Sequence, residues 1–134
     1  SIRALDRDPG NPMHYVVRGV IYRQYHKDTA NAARDFDQAL ELDPQSPAAL
    51  LERGILYHDM RLLNDAERDI RQAMSRRASP EGVLALGRVL RDKGEYDKAV
   101  EAYRRALEVY PDPEVQKTLK DELERALQAK ESDR

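Results

Sequence analysis

Three histidines, His14, His26 and His58, are the only imidazoles of the chain, and no cysteine accompanies them. A protein-built metal site needs several nitrogen, sulfur or carboxylate ligands converging on one point. None of the three histidines has another histidine four residues away, so no metal site is expected. The 25 acidic side chains interleave with 23 lysines and arginines, as in Glu67-Arg68-Asp69 and Asp121-Glu122-Leu123-Glu124-Arg125. Runs of this kind form solvated helix faces laced by pairs one turn apart, not a matched acid and base. There is no glycine-rich phosphate loop, no G-x-S-x-G turn and no H-E-x-x-H helix. The segment is therefore read as non-catalytic, with no cofactor.

Charge and hydropathy narrow the classes further. A formal charge of −2 supplies no overall field for nucleic acid or anionic lipid. The pairs Arg76-Arg77 and Arg104-Arg105 fall on second helices of the pattern described below, and most of the seven tyrosines sit at packing positions. Base-stacking platforms are thus missing and nucleic-acid binding is not expected. No apolar run approaches the roughly 18 residues of a membrane span.

What the sequence does carry is a period. Asn11-Pro12, Ser46-Pro47, Ser79-Pro80 and Asp112-Pro113 each pair a side-chain acceptor with a proline, and the prolines are 35, 33 and 33 residues apart. An acceptor at the N-cap followed by proline at the first helical position is a helix start. Gly19, Gly54 and Gly87 each lie seven residues after their proline. A mid-helix glycine costs about 1 kcal/mol against alanine, so three in register predict close approach by a neighbouring helix. A second stripe recurs as Ala32/Phe36/Ala39, Ala66/Ile70/Ala73 and Ala99/Tyr103/Ala106. Its small–large–small spacing of four then three marks one face of a second helix.

Turn chemistry divides the rest. Gly94 predicts a C-cap, Asn64 with Glu67 predicts a capping box, and Pro44 and Pro111 close second helices. Unit one carries an extra residue in the turn between Tyr25 and Ala30, and unit two is one residue short near Ala78. Helices are expected over 12–25, 29–42, 47–60, 64–77, 80–93, 96–109 and 113–130. Residues 12–46, 47–79 and 80–111 are then three repeats within a single domain. Residues 1–10 read as the tail of a preceding truncated repeat, because Ala4 to Pro9 repeats the spacing of Ala39 to Pro44 and Ala106 to Pro111. Residues 112–130, with the stripe Val115/Leu119/Leu123/Leu127, read as a polar capping helix.

These residues resemble the tetratricopeptide repeat family. Unit three matches best, with Leu86-Gly87, Gly94, Tyr96, Ala99, Tyr103, Ala106 and Pro111. Units one and two depart from it with Arg18 and Arg53 before the glycine, and unit two has Ala78 where a closing proline is usual. The uneven departures fit a natural protein. The resemblance implies an all-α fold, a right-handed α-solenoid of about three helix–turn–helix repeats plus the capping helix. It also implies that the first helices line a concave inner surface.

Counting from each glycine, offsets −4, 0 and +3 should pack on the second helix of the same unit: Tyr15/Gly19/Tyr22, Leu50/Gly54/Tyr57 and Val83/Gly87/Leu90. Offsets −3, +1 and +4 give the neighbouring stripe Val16/Val20/Arg23, Leu51/Ile55/His58 and Leu84/Arg88/Arg91. By the resemblance this stripe faces the groove, an apolar strip bordered by cations. It suits a partner peptide or helix with apolar anchors and acidic residues. Two structural readings stand beside it. Val16, Leu51 and Leu84 also fit an inter-repeat core, and Gln24, Asp59 and Asp92 at offset +5 are placed to neutralise the cations. Some family members clamp a chaperone's terminal carboxylate, but the matching positions here hold Val16, Val20, Glu52, Glu81 and Ala85, which do not form that clamp.

The expected function is a protein-interaction module. A self-association scaffold, and an accessory segment of a larger enzyme or receptor, are the alternatives.

Overall fold

Four side-chain oxygens start the first helices where the sequence placed them. Asn11 Oδ1 accepts from the Met13 N–H at 3.0 Å, Ser46 Oγ from Ala49 at 3.2 Å, and Ser79 Oγ from Gly82 at 3.0 Å. Asp112 Oδ1 accepts from both Glu114 and Val115, at 2.9 and 3.2 Å. In each case proline takes the first helical position, where its missing N–H has no intrahelical partner to lose. A computed structural model describes residues 8–133 of the chain.

Among the described residues there are seven helices and no strand: α1 Pro12–Tyr25, α2 Thr29–Leu42, α3 Pro47–Asp59, α4 Leu63–Arg76, α5 Pro80–Asp92, α6 Tyr96–Val109 and α7 Pro113–Ser132. They form two compact units, which divide between Arg77 and Ala78. One holds α1–α4, the other α5–α7. The tail expected over residues 1–10 lies outside the described residues except for Asp8 to Gly10. Asp8 C=O accepts from the Asn11 N–H at 3.2 Å, as Asp43 C=O accepts from Ser46 at 3.1 Å.

The three inner turns are built alike. The C=O at offset +3 from the glycine (Tyr22, Tyr57, Leu90) accepts from the N–H of Asp28, Leu62 and Glu95, each at 2.9 Å. The residue before each donor has positive φ: Lys27 at 52°, Arg61 at 64° and Gly94 at 79°. Turns two and three are Schellman caps, which satisfy the last carbonyls of the first helix. Turn one accommodates its extra residue inside the same closure.

Two expectations change. The Asn64–Glu67 capping box does not form: α4 starts at Leu63, with Leu62 at the N-cap and no side-chain capping bond. The Schellman bond to Leu62 leaves no spacer, so Asn64 falls inside the first helical turn. On α7 the buried positions are Leu119, Glu122 and Ala126, while Leu127 is exposed. A strict spacing of four precesses about 40° around a helix per step, so Leu127 rotates off the face that Ala126 keeps.

The glycines explain the packing. A Cβ on Gly19 would come 2.5 Å from Phe36 Cε1, and one on Gly54 would come 2.7 Å from Ile70 Cγ1. On Gly87 it would run into the Tyr103 phenol. The large residue of each second-helix stripe thus lies in the notch its own first helix provides. In the first unit Ala32, Phe36 and Leu56 form one core cluster and Val16, Ala39 and Ala49 another, with Val20 packed against both. In the second unit Leu86, Val89, Leu90, Ala99, Tyr103, Ala106 and Leu119 are buried.

Candidate functional site

The expected stripe is distributed between the two units, and each part has its own surroundings. In the first unit Val16 is only 4% exposed, closed in with Ala39 and Ala49, so it takes the core position foreseen as one of its two readings. Val20, Leu51, Ile55 and His58 are half-buried. Arg23 reaches from α1 to α3, where its Nη2 donates to Glu52 Oε2 at 3.3 Å. Its Nη1 lies 3.7 Å from Asp59 Oδ2, and its buried Nε has no hydrogen-bond partner among the described residues. Burial pushes the Glu52 carboxyl above its ordinary range, against the downward pull of Arg23.

In the second unit Leu84, Arg88 and Arg91 are also half-buried. Arg88 Nη2 and Arg91 Nη1 donate to the two oxygens of Glu122 on α7, at 3.4 and 3.2 Å. Arg125 Nη1 shares Oε1 at 3.4 Å. Glu122 is itself 5% exposed, so one buried carboxylate gathers three guanidinium groups. The cations at offsets +1 and +4 are therefore paired within the chain, by Glu52 and Asp59 in one unit and Glu122 in the other. Asp59 was foreseen as a neutralising group, whereas Glu122 was missed because it had been read as a member of a solvated run.

A second feature was also missed. Arg18 Nε and Nη2 donate to the two oxygens of Asp35 at 2.8 and 2.7 Å. Arg53 does the same to Asp69 at 2.7 and 3.2 Å, and its Nη1 donates to Asp37 at 3.0 Å. Each guanidinium also lies over a tyrosine of its own helix, Arg18 over Tyr15 at 5.8 Å and Arg53 over Tyr57 at 5.5 Å. The hydrogen bond to Asp69 is the main cause holding Arg53 firmly protonated. In the third repeat the same two positions hold Leu86 and Ala102. The signal was present in the sequence: where arginine precedes the glycine, aspartate precedes the large residue of the stripe.

The first unit also leaves apolar residues exposed on another face of α1. Met13, Val17, Ile21 and Tyr25 recur every four residues and are 45%, 46%, 37% and 76% exposed. One repeat later, the counterpart of Ile21 is Leu56, which is 1% exposed beneath Ala32 and Phe36. Among the described residues no helix is long and apolar enough to cross a membrane.

Two tetratricopeptide repeat family profiles match the chain, over residues 20–83 and 84–113. No curated protein matches. Among solved structures, TTC0263, a thermophilic tetratricopeptide protein of Thermus thermophilus, is similar at 25% identity. The match has a TM-score of 0.77 and covers 92% of this chain and 67% of that one. The first tetratricopeptide domain of Spaghetti (RPAP3), solved with the HSP90 peptide SRMEEVD, is 20% identical with a TM-score of 0.78, covering 89% and 92%. YrrB, described as having an unusual peptide-binding site, is 20% identical with a TM-score of 0.75, covering 96% and 70%. With the helix pairs, glycine notches and turns described above, these matches show that the chain belongs to the tetratricopeptide repeat family, an all-α solenoid fold.

Proposed function

We propose that the chain is a non-catalytic protein-interaction module whose first-helix faces hold a peptide or helix of a partner protein. The observation that carries this reading is the half-buried state of Val20, Leu51 and Ile55 on α1 and α3, the two helices that Arg23 bridges through Glu52. Apolar side chains left partly open on helices bridged by a guanidinium suit a segment that presents both apolar and acidic groups. Leu84, Arg88 and Arg91 are the corresponding residues of the other unit, where Glu122 already engages both arginines. The test is binding by Leu51→Glu and Leu84→Glu, both half-buried positions outside the ion pairs, with helicity monitored by circular dichroism. Loss of binding with helicity retained is expected, and undiminished binding by both variants would overturn the assignment.

A second reading, self-association, is favoured by the exposed Met13/Val17/Ile21/Tyr25 stripe. The burial of Leu56 shows how such a position is covered within the fold, by a second helix with a small–large–small stripe. Light scattering across a concentration series separates the readings. A mass that rises with concentration, and falls back in Val17→Glu, supports self-association; a constant monomer mass removes it.

A further inference from the structure

Where α1 ends and α3 ends, the first unit holds a cleft of about 410 Å³ lined by Arg23, Gln24, Lys27, Thr29, Leu56 and Asp59. Three of these come from the end of α1 and its exit turn, Thr29 opens α2, and Leu56 and Asp59 belong to the last turn of α3. Leu56, almost wholly buried, borders it from the core side. The polar groups supply more donors than the unit satisfies. Lys27, presented by the positive-φ turn, has no carboxylate partner among the described residues. A guanidinium offers five N–H donors, and Arg23 makes one hydrogen bond to a carboxylate, the 3.3 Å bond to Glu52. Its Nε is buried without a partner.

The one carboxylate in the cleft is held loosely. Asp59 stands 3.7 Å from Arg23 Nη1, an ion pair beyond hydrogen-bonding distance, and its side chain is 55% exposed. As the last residue of α3 it also sits at the negative end of that helix, where an acid is disfavoured.

Resting on the partner-binding reading above, we infer that this cleft takes an aspartate or glutamate side chain of the bound segment. The incoming carboxylate lies between Lys27 and Arg23 and displaces Asp59 from Arg23. Asp59 then acts as an internal competitor, so that only a segment bringing its own acid gains the site. The carboxylate clamp of chaperone-binding relatives uses other positions, which here hold Val16, Val20, Glu52, Glu81 and Ala85.

The test is selection of a phage-displayed random peptide library on the protein. Affinities of the recovered peptides are then measured by fluorescence polarisation for wild type, Lys27→Gln, Asp59→Asn and Leu51→Glu. Lys27 and Asp59 are exposed, so their variants fold where Arg23→Gln, which strips a partner from Glu52, could fail. Recovered peptides should share an acidic residue whose amide twin binds roughly 10-fold more weakly to wild type. That penalty should shrink in Lys27→Gln, and Asp59→Asn should bind the acidic peptides more tightly. Peptides without a shared acid, an undiminished penalty in Lys27→Gln, or no tightening in Asp59→Asn would overturn the cleft assignment while leaving the interaction face intact. Recovery of no peptide, or of peptides indifferent to Leu51→Glu, would overturn the interaction face and the cleft together.

Discussion

Arg53 and Asp69 form a two-pronged ion pair between α3 and α4, with the carboxylate wholly buried and the guanidinium lying over Tyr57. The third repeat does without it, placing Leu86 and Ala102 at the same positions. A buried pair offers little net stability over a well-packed apolar pair, but removing one partner strands the other charge. Arg53→Leu leaves the buried Asp69 only Arg68, 3.7 Å away, and should therefore destabilise by roughly 3 kcal/mol, the low end for a broken buried pair. Adding Asp69→Ala should recover most of that loss, because the double variant copies the third repeat. Urea denaturation of the single and double variants provides the cycle. A double variant no more stable than Arg53→Leu would show that the pair is not self-contained.

The glycine notches differ in what fills them. Alanine at position 87 meets the ring of Tyr103, whereas alanine at 54 meets chiefly the Cγ1 methylene of Ile70. Overpacking costs about 1–3 kcal/mol and exceeds the gain in helix propensity of about 1 kcal/mol. Gly87→Ala should lower the melting temperature more than Gly54→Ala does. The reverse order would mean that the Tyr103 ring moves aside without cost.

Tyr103 is buried and its hydroxyl has no hydrogen-bond partner among the described residues. Burial, reinforced by the nearby Glu122 carboxylate, pushes its phenol from 10.0 up to about 12. A group whose folded pKa is raised gives stability that is complete below the unfolded pKa and is lost as pH rises through the folded one. Stability should therefore fall between pH 10 and about 12. Tyr103→Phe should weaken that alkaline loss and, at neutral pH, cost nothing or stabilise by about 1 kcal/mol by removing an unsatisfied hydroxyl. Thermal melts over this pH range, with phenolate absorbance recorded, check both. A destabilised Tyr103→Phe at neutral pH would show that the hydroxyl does have a partner.

Lys27 and Arg61 occupy the left-handed region that Gly94 fills in the third turn. A side chain there costs about 1–2 kcal/mol, part of which glycine returns as greater freedom of the unfolded chain. Lys27→Gly should raise the melting temperature slightly, and Gly94→Ala, which meets no neighbouring atom, should lower it through backbone strain alone. Equal melting temperatures for wild type and Gly94→Ala would remove the strain argument.

The features legible in the sequence were those repeated in register. Asparagine, serine or aspartate before proline marked every first helix, and the glycines in register called for close approach by the second helix of the same unit, which Phe36, Ile70 and Tyr103 make. The start of α4 was not legible, because the Schellman closure on Leu62 overrode the local preference of Asn64. The buried face of α7 was misjudged by following leucines four apart, which hid Glu122 among exposed acids. Val16, Leu51 and Leu84 share one repeat position. Neighbouring side chains decide that Val16 is enclosed by Ala39 and Ala49 while Leu51 and Leu84 stay half-buried.

The central claim, that first-helix faces hold a partner segment, is tested most directly by the affinity of a peptide selected on the wild-type protein. It is measured by fluorescence polarisation against wild type, Leu51→Glu and Arg34→Glu, the last an exposed substitution on the second helix of the first repeat. Leu51→Glu should weaken binding by roughly 10-fold or more, as for a residue at the centre of an interface, and Arg34→Glu should leave it unchanged. Equal affinity for all three, with helicity retained, would contradict the claim and move the interface off this face.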